Sequence, residues 1–335
     1  MTSFKLREVF KPQKIEPSEE FDTIIIGGGP AGLGAALYSA RYQLKTIIVT
    51  KTIGGQAVLA PFIENYLGLP NISGSDLVDK FLKHIMNYNI PIVIDEVVNI
   101  RKNGVKWIVE TKSERNIQGY VVILATGSER RKLNVPGEEE FIGRGVSYCA
   151  TCDAPFFKNK TVAVIGGGDA ALISALYLAA IASKVYIIHR RGEFRAIKTY
   201  IDRVFENPKI ETIMNTIVLE IIGKDKVEAL RIRNIITGEE KLLKIDGVFV
   251  EIGSKPPTEL FKKIGIETDE NGYAIVKPDH STNLPGIYVA GDSAGGPYKY
   301  RLEQIITAVA EGAIAADSAA KYIMSLKREL GKSKV

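Results

Sequence analysis

The chain has 335 residues, of which 45% are hydrophobic and 25% charged. These are ordinary globular values; they exclude a disordered or fibrous chain and leave room for about two domains. The net charge of +5, from 44 basic and 39 acidic residues, is too weak and too evenly spread to make nucleic acid the main partner.

No apolar run approaches the ~18 residues a transmembrane helix needs. Met1 to Glu20 is of mixed charge and has no apolar core, so no secretory signal and no membrane is expected, and the default compartment is the cytoplasm. The first predicted element is a strand, Thr23 to Ile26, which runs into Gly27, Gly29 and Gly32, spaced G-x-G-x-x-G, and then a helix. In that context the first glycine permits a tight turn. The second lets the backbone approach a pyrophosphate, whose charge the helix N-terminus stabilises. A second strand, Lys45 to Thr50, ends at Thr50-Lys51, without the acidic ribose ligand common in FAD folds. The cofactor is then held mainly by backbone in Gly54-Gly55-Gln56. Val105 to Thr111 alternates with period two, as an antiparallel strand with one exposed face does. Val121 to Ala125 is a further strand that runs into Thr126-Gly127, and Pro136-Gly137 punctuates the crossing that follows.

The only two cysteines, Cys149 and Cys152, come next as Tyr148-Cys149-Ala150-Thr151-Cys152-Asp153. In a reducing compartment a close pair reads as catalytic or metal-binding rather than structural. A C-x-x-C pair can close a small disulfide ring, and its thiol pKa is easily lowered. Asp153 is a candidate proton donor and acceptor, with a helix N-cap as its structural alternative. Zinc would need two more ligands, and His84, His189 and His280 are all isolated, so no metal is expected.

The chain then repeats itself. Residues 27–40 (GGGPAGLGAALYSA) and 166–179 (GGGDAALISALYLA) agree at nine of fourteen positions, at an offset of 139. The flanking strands repeat at the same offset: Val162 to Ile165 precedes the second copy and Lys184 to His189 follows it. Gly166, Gly168 and Ala171 form the second glycine loop. Beyond its second strand lie His189, Arg190, Arg191 and Arg195, where a ribose 2′-substituent would sit; arginine there favours NADPH over NADH. Val227 to Arg233 and Val248 to Ile252 complete the copy, ending at Gly253. Ser254-Lys255-Pro256-Pro257 marks the crossing out. Leu284 to Asp292 then reads as a buried strand ending at Gly291-Asp292, and a helix is predicted from about Leu302 to Ile323. The simplest assembly has this tail complete the first unit, leaving the second as an insertion.

Two dinucleotide sites in one chain suggest electron transfer between two dinucleotides, with FAD and NADPH the obvious pair. Gly291-Asp292 suits a flavin ribityl or pyrophosphate contact. A helix beginning near Glu303-Gln304 could point its positive end at the isoalloxazine.

From about Phe21 to Ile323 the chain resembles the low-molecular-weight thioredoxin reductases. The resemblance rests on GGGPAG (27–32), GGQ (54–56), EN (64–65), ATG (125–127), GRGVSYCATCD (143–153), GGGDAA (166–171), HRRGEFRA (189–196) and AGD (290–292). The position of the C-x-x-C distinguishes it from glutathione reductase and lipoamide dehydrogenase relatives, whose C-x-x-x-x-C pair lies in the FAD half. The implied fold is α/β: two Rossmann-like three-layer nucleotide-binding domains, each with an antiparallel β-meander, the second inserted into the first. The implied domains are an FAD part at 1–130, an NADPH domain with the cysteines at 131–256, and a second FAD part at 257–335.

In the implied reaction NADPH reduces FAD, reduced FAD opens the Cys149–Cys152 disulfide, and the dithiol reduces thioredoxin or a glutaredoxin-like protein. Cys152 faces the flavin, Cys149 attacks the partner, and Asp153 handles the proton. Implied FAD contacts are Gly27, Gly29, Pro30, Ala31, Gly32, Thr50, Gly54, Gly55, Gln56, Asn65, Val97, Thr126, Gly127, Gly291, Asp292, Gln304 and Ile305. Implied NADPH contacts are Gly166, Gly168, Asp169, Ala170, His189, Arg190, Arg191 and Arg195. Family members are homodimers and swing the NADPH unit, here with hinges near Glu129–Asn134 and Gly253–Pro257. Arg144 and Phe156-Phe157 match positions resembling the thioredoxin-docking surface. The family's last helix usually opens Arg-Gln-Ala, whereas this one reads Glu303-Gln304-Ile305 with Arg301 close by, so that arginine contact is missing or displaced. Two readings without the cysteines remain beside this one: a flavin-dependent NAD(P)H oxidase or ferredoxin-type reductase, and a non-catalytic NADPH-sensing flavoprotein.

Overall fold

The computed structural model describes residues 19–60, 63 and 65–332. The N-terminal stretch 1–18 and Glu64 of the EN motif lie outside the described residues. The chain runs from β1 (Glu20–Gly28) through α1 (Pro30–Arg41) to β2 (Thr46–Ile53), α2 (Gly74–Met86) and β3 (Ile92–Ile94). A meander of β4 (Val97–Asn103), β5 (Lys106–Thr111) and β6 (Asn116–Leu124) follows, then β7 (Glu129–Arg130), β8 (Val146–Ser147) and α3 (Ala150–Asp153). The second copy comprises β9 (Thr161–Ile165), α4 (Asp169–Ala179), β10 (Lys184–Ile188), α5 (Lys198–Glu206) and β11 (Ile210–Ile213). Its meander is β12 (Thr216–Gly223), β13 (Val227–Asn234) and β14 (Glu240–Lys244), before β15 (Gly247–Val250) and β16 (Ser254–Lys255). The tail holds α6 (Thr258–Ile264), β17 (Ala274–Ile275), β18 (Ile287–Val289), β19 (Ala294–Gly295) and α7 (Ile305–Lys332).

The chain divides into two compact units: the part up to Glu129 together with Lys255 onward, and Arg130–Ser254. In the first unit the parallel strands run in the order β3-β2-β1-β6. β6 is shared by two neighbours along one edge. Residues 116–119 pair antiparallel with β5, and residues 122–124 pair parallel with β18 from the tail. The returning chain therefore completes the first sheet, and the second unit is an insertion.

Both sheet faces are covered, which explains why these strands read as continuous apolar runs. Ile25, Ile48, Val121 and Ile123 pack under residues of α1, α2 and α7. Ile24, Ile26, Ile47, Val49, Val122 and Leu124 pack on the other face with Trp107, Val109 and Phe261. In the second unit β11-β10-β9-β15-β8 form a parallel sheet. Val162, Val164, Val185 and Ile187 face α4, while Ala163, Ile165, Ile188 and Val248 face the meander through Val218, Ile221 and Leu230.

The internal repeat is preserved in the hydrogen-bond register. The pair Thr23↔Thr46 in β1–β2 recurs as Val162↔Val185 in β9–β10, each partner displaced by the sequence offset.

α7 spans Ile305–Lys332, longer than the predicted 302–323. The extension carries Lys, Arg, Glu and Leu, all good helix formers. Its inner face is small because it crosses α1 closely: a Cβ on Gly312 would lie 2.0 Å from the Ala31 carbonyl oxygen, and one on Gly34 2.6 Å from that of Val309. Among the described residues no helix is long and apolar enough to cross a membrane.

Candidate functional site

In the first unit the predicted loop sits where β1 turns into α1. Gly27 has φ +118°, and an added Cβ would meet the Ala125 carbonyl oxygen at 2.1 Å. A Cβ on Gly32 would lie 1.9 Å from the Gly27 carbonyl oxygen, so this glycine is needed for helix–strand packing. Gly29 differs, since its Cβ would meet only the Gly55 Cα, at 3.8 Å. α1 starts with Pro30 and has no acidic residue in its first turn, which leaves its positive end uncompensated.

Most of the other expected FAD contacts converge on this loop. Gly54 N–H donates to the Gly28 carbonyl (2.8 Å), and Gly54 and Gly55 both have positive φ. The Gln56 amide donates to the Ser128 carbonyl. The Thr50 hydroxyl accepts from Gly28 N–H at 2.9 Å and donates to the Thr52 carbonyl at 2.7 Å. Thr50 thus braces the glycine loop from the place where an acidic ribose ligand is usual. Gly291 is pressed between α1 and α7, its Cβ position 2.9 Å from Ala31 Cβ and 3.8 Å from Ala308 Cβ. Asn65 donates to the Gln304 side chain at 2.8 Å, just ahead of Ile305 at the start of α7. Val97 lies apart, at the start of β4 against the other face of the sheet.

The residues fit a dinucleotide. A Cβ on Gly127 would touch nothing within 4 Å, and Thr126 Oγ1 and Ser128 Oγ are buried without a hydrogen-bond partner. An open cradle of backbone with orphaned hydroxyls beside it, at an uncompensated helix N-terminus, suits an anionic polar group. A flavin cofactor would be held here chiefly by backbone.

The second loop repeats the arrangement with one change. Gly166 has φ +156° and would clash with the Glu251 carbonyl oxygen at 2.3 Å if it carried a Cβ, while Gly168 has nothing within 4 Å. Asp169 and Ala170 form the exposed first turn of α4, and Asp169 accepts from Ile197 N–H at 2.8 Å. The His189 imidazole covers Gly167, within 2.3 Å of its Cβ position. It bonds the Glu193 carbonyl at 3.1 Å through Nε2, which is therefore the protonated nitrogen. Burial lowers its pKa, and the neighbouring Arg191, Arg190 and Arg195 lower it further. Those arginines are exposed and have no carboxylate partner among the described residues. The Arg195 N–H bonds the Gly167 carbonyl at 2.7 Å, holding this basic turn against the loop. An exposed turn with three guanidinium groups suits a phosphomonoester.

Cys149 and Cys152 are disulfide-bonded, with Cα atoms 5.3 Å apart, and both are half-buried. Cys149 is the N-cap of α3, and its carbonyl accepts from Cys152 N–H (3.2 Å) and Asp153 N–H (3.1 Å), so one helical turn sets the spacing. Asp153 makes no capping bond, contrary to its structural alternative. Its Oδ1 is buried without a hydrogen-bond partner, and burial raises its pKa, against a smaller lowering by a hydrogen bond from Ser147. A carboxyl whose pKa is raised beside a disulfide is a candidate proton donor when the pair opens.

The suggested docking residues separate. Arg144 is exposed, bonded to the Glu140 (2.6 Å) and Asp225 (3.3 Å) carbonyls, and Phe156 is exposed. Phe157 is core: its ring meets Phe249 edge-on at 5.1 Å and fills the space over Gly247. Arg301 stacks on Tyr273 at 3.6 Å and pairs with Glu303. The arginine near the family position is therefore turned onto this unit's own tyrosine.

Two acidic residues gave no sequence signal. Glu138, 1% exposed, accepts from Leu133 N–H (2.8 Å), Asn134 N–H (2.7 Å) and the Tyr148 hydroxyl (2.8 Å). Glu311 pairs with Lys299 at 2.7 Å. Glu138 sits in a run of three glutamates and Glu311 in a small-residue helix, so neither stands out from solvated surface charge until the fold buries it.

The family model described as pyridine nucleotide-disulphide oxidoreductase matches residues 21–312. A thioredoxin reductase from Listeria innocua is 41% identical over 317 residues, covering 93% of this chain and 98% of that protein. One from Treponema pallidum is 41% identical over 310 residues, covering 92% and 99%. Among solved structures, the thioredoxin reductase from Streptococcus pyogenes superposes with a TM-score of 0.84 at 40% identity, covering 91% of this chain and 99% of that one.

Proposed function

From a chain that belongs to the pyridine nucleotide-disulphide oxidoreductase family, among its low-molecular-weight thioredoxin reductases, we infer NADPH-dependent reduction of thioredoxin or a glutaredoxin-like protein disulfide. The protein is a flavin- and nicotinamide-dependent oxidoreductase with a redox-active disulfide. The flavin is FAD, held by the first glycine loop, Gly54-Gly55-Gln56, Thr126-Gly127 and the Gly291-Asp292 turn. The nicotinamide cofactor is NADPH, held by Gly166, Gly168 and the Arg190, Arg191 and Arg195 turn. Bound together, the two cofactors supply the two electrons that open the Cys149–Cys152 disulfide.

The chain's own residues do the rest. The Cys149 thiolate attacks one sulfur of the partner's disulfide, forming a mixed disulfide and releasing the other sulfur as a thiolate. The Cys152 thiolate then attacks the Cys149 sulfur, which re-forms the internal disulfide and releases the second partner thiolate. The partner gains two electrons and the pair loses two. Asp153, whose carboxyl pKa is raised by burial, supplies a proton to the thiolate chemistry. The nicotinamide loop and the cysteines both belong to the inserted unit and both serve one flavin, so turnover requires that unit to rotate about the segments near Glu129–Asn134 and Gly253–Pro257. By the same resemblance the enzyme works as a cytoplasmic homodimer.

The observation that carries this reading is the disulfide with the buried, partly unpartnered Asp153 carboxyl beside it. An anaerobic NADPH titration tests it. A flavin and a disulfide together hold four electrons, so bleaching the flavin band should take about two NADPH per subunit. Cys152→Ser should lower this to about one. An endpoint of about one in the fully oxidised parent protein would sink the reading.

A further inference from the structure

Lys299 lies between β19 and α7, and Glu311 projects from the second turn of α7. Their side chains are only 10% and 13% exposed and pair at 2.7 Å. Both close on one residue of the backbone. A Glu311 oxygen accepts from Gly291 N–H at 2.8 Å, and the Lys299 ammonium donates to the Gly291 carbonyl at 2.8 Å. The peptide planes on both sides of Gly291 are therefore held by side chains. Gly291 itself has φ +77° and is wedged against Ala31 and Ala308, the first turns of the two helices that face the glycine-loop cradle.

A buried ion pair is a poor stabilising device. Desolvating both ions costs about as much as their attraction returns, and apolar replacements of similar volume often do as well. The neutral acceptor or donor of an ordinary turn would also satisfy the Gly291 peptide groups. What the pair does add is orientation: two charge-assisted hydrogen bonds fix a left-handed turn whose next residue is Asp292. We propose that Lys299 and Glu311 are positioning residues for the flavin. They clamp the Gly291 peptide so that the Gly291-Asp292 turn keeps its FAD-binding conformation. This rests on the FAD reading above and deepens it.

The test uses two double variants of the full-length holoenzyme, both without the buried charges. Lys299→Met with Glu311→Leu can make neither bond to Gly291; Lys299→Gln with Glu311→Gln can in principle make both. FAD affinity is read from the fluorescence of flavin released on dilution, and folding from the melting temperature at saturating FAD. The apolar pair is expected to weaken FAD binding at least tenfold, with melting close to the parent. The amide pair is expected to stay within about threefold of the parent's affinity. Equal affinity in both variants, whether at the parent's level or equally weakened, overturns the clamp. If the apolar pair does not fold, Lys299→Met against Lys299→Gln makes the same comparison at the Gly291 carbonyl. Failure of the parent protein to bind FAD would instead overturn the FAD reading itself.

Discussion

The Tyr148 hydroxyl donates to the Glu138 carboxylate at 2.8 Å, and Tyr148 immediately precedes the redox-active Cys149. The same carboxylate holds two backbone N–H groups, at Leu133 and Asn134. A buried charge is tolerated here because three donors surround it, and in return it ties the 133–138 segment to the base of the cysteine turn.

Removing one donor leaves Glu138 under-satisfied. Tyr148→Phe should destabilise the protein by about 1.5–3 kcal/mol, the range for a hydrogen bond to a charged group. Burial and the adjacent carboxylate both push the Tyr148 phenol pKa up. The folded phenol stays protonated while that of the unfolded chain ionises at its ordinary value, so the difference in denaturant midpoint between parent and variant should be flat near neutral pH and shrink as pH rises through the ordinary tyrosine value. A difference that stays constant on the alkaline side would contradict the raised pKa.

Asp153→Asn should move activity and stability in opposite directions. Loss of a positioned proton donor should slow reduction of a protein disulfide by about 100-fold. The stability sign follows from the raised pKa of Asp153 in the folded state. At low pH the carboxyl is protonated whether folded or unfolded, so no penalty arises. As pH rises from the unfolded carboxyl value through the raised folded one, the unfolded chain ionises more readily and the folded state loses stability. The asparagine variant lacks this loss, so its melting temperature relative to the parent should climb through that window. Parallel melting curves against pH would refute it.

Arg190, Arg191 and Arg195 are exposed and pair with no carboxylate among the described residues, as reading a phosphomonoester requires. Replacing all three with glutamine should raise KM for NADPH by roughly 100-fold while leaving NADH nearly unchanged. The preference for NADPH should also weaken with added salt, because the groups are exposed. Steady-state kinetics with both nucleotides at two ionic strengths decides it; equal losses for both would mean the arginines do not read the 2′-position.

The glycines of the two loops should fail differently. Gly32→Ala forces a methyl to within 1.9 Å of a carbonyl oxygen and should lower the melting temperature sharply. Gly168→Ala meets nothing within 4 Å, so the fold should tolerate it. The methyl would instead stand where a pyrophosphate approaches, raising KM for NADPH at least tenfold with unchanged melting. A normal KM in Gly168→Ala would place the nucleotide elsewhere.

Much of this protein is legible in the sequence, because its information is local or repeated. A strand–glycine–helix unit occurring twice at one offset predicts two nucleotide-binding units, and the register pairs Thr23↔Thr46 and Val162↔Val185 carry that offset into space. The cysteine turn needs only four consecutive residues, and the arginine cluster only six. Boundaries that depend on packing are less legible: α7 continues past Ile323, and Phe157 turns inward because Gly247 leaves a hole for its ring.

How charged residues distant in sequence become partners is settled by the packed fold alone. Glu138, Lys299 and Glu311 have the residue types of a solvated surface. Burial separates them from water, and an ion removed from water must find donors or an opposite charge wherever the fold brings them. That requirement joins Glu138 to Tyr148, and Lys299 and Glu311 to Gly291. Periodicity and motif spacing register which residues are apolar or small. They hold no record of which carboxylate will lose its water, because that depends on the elements packed over it.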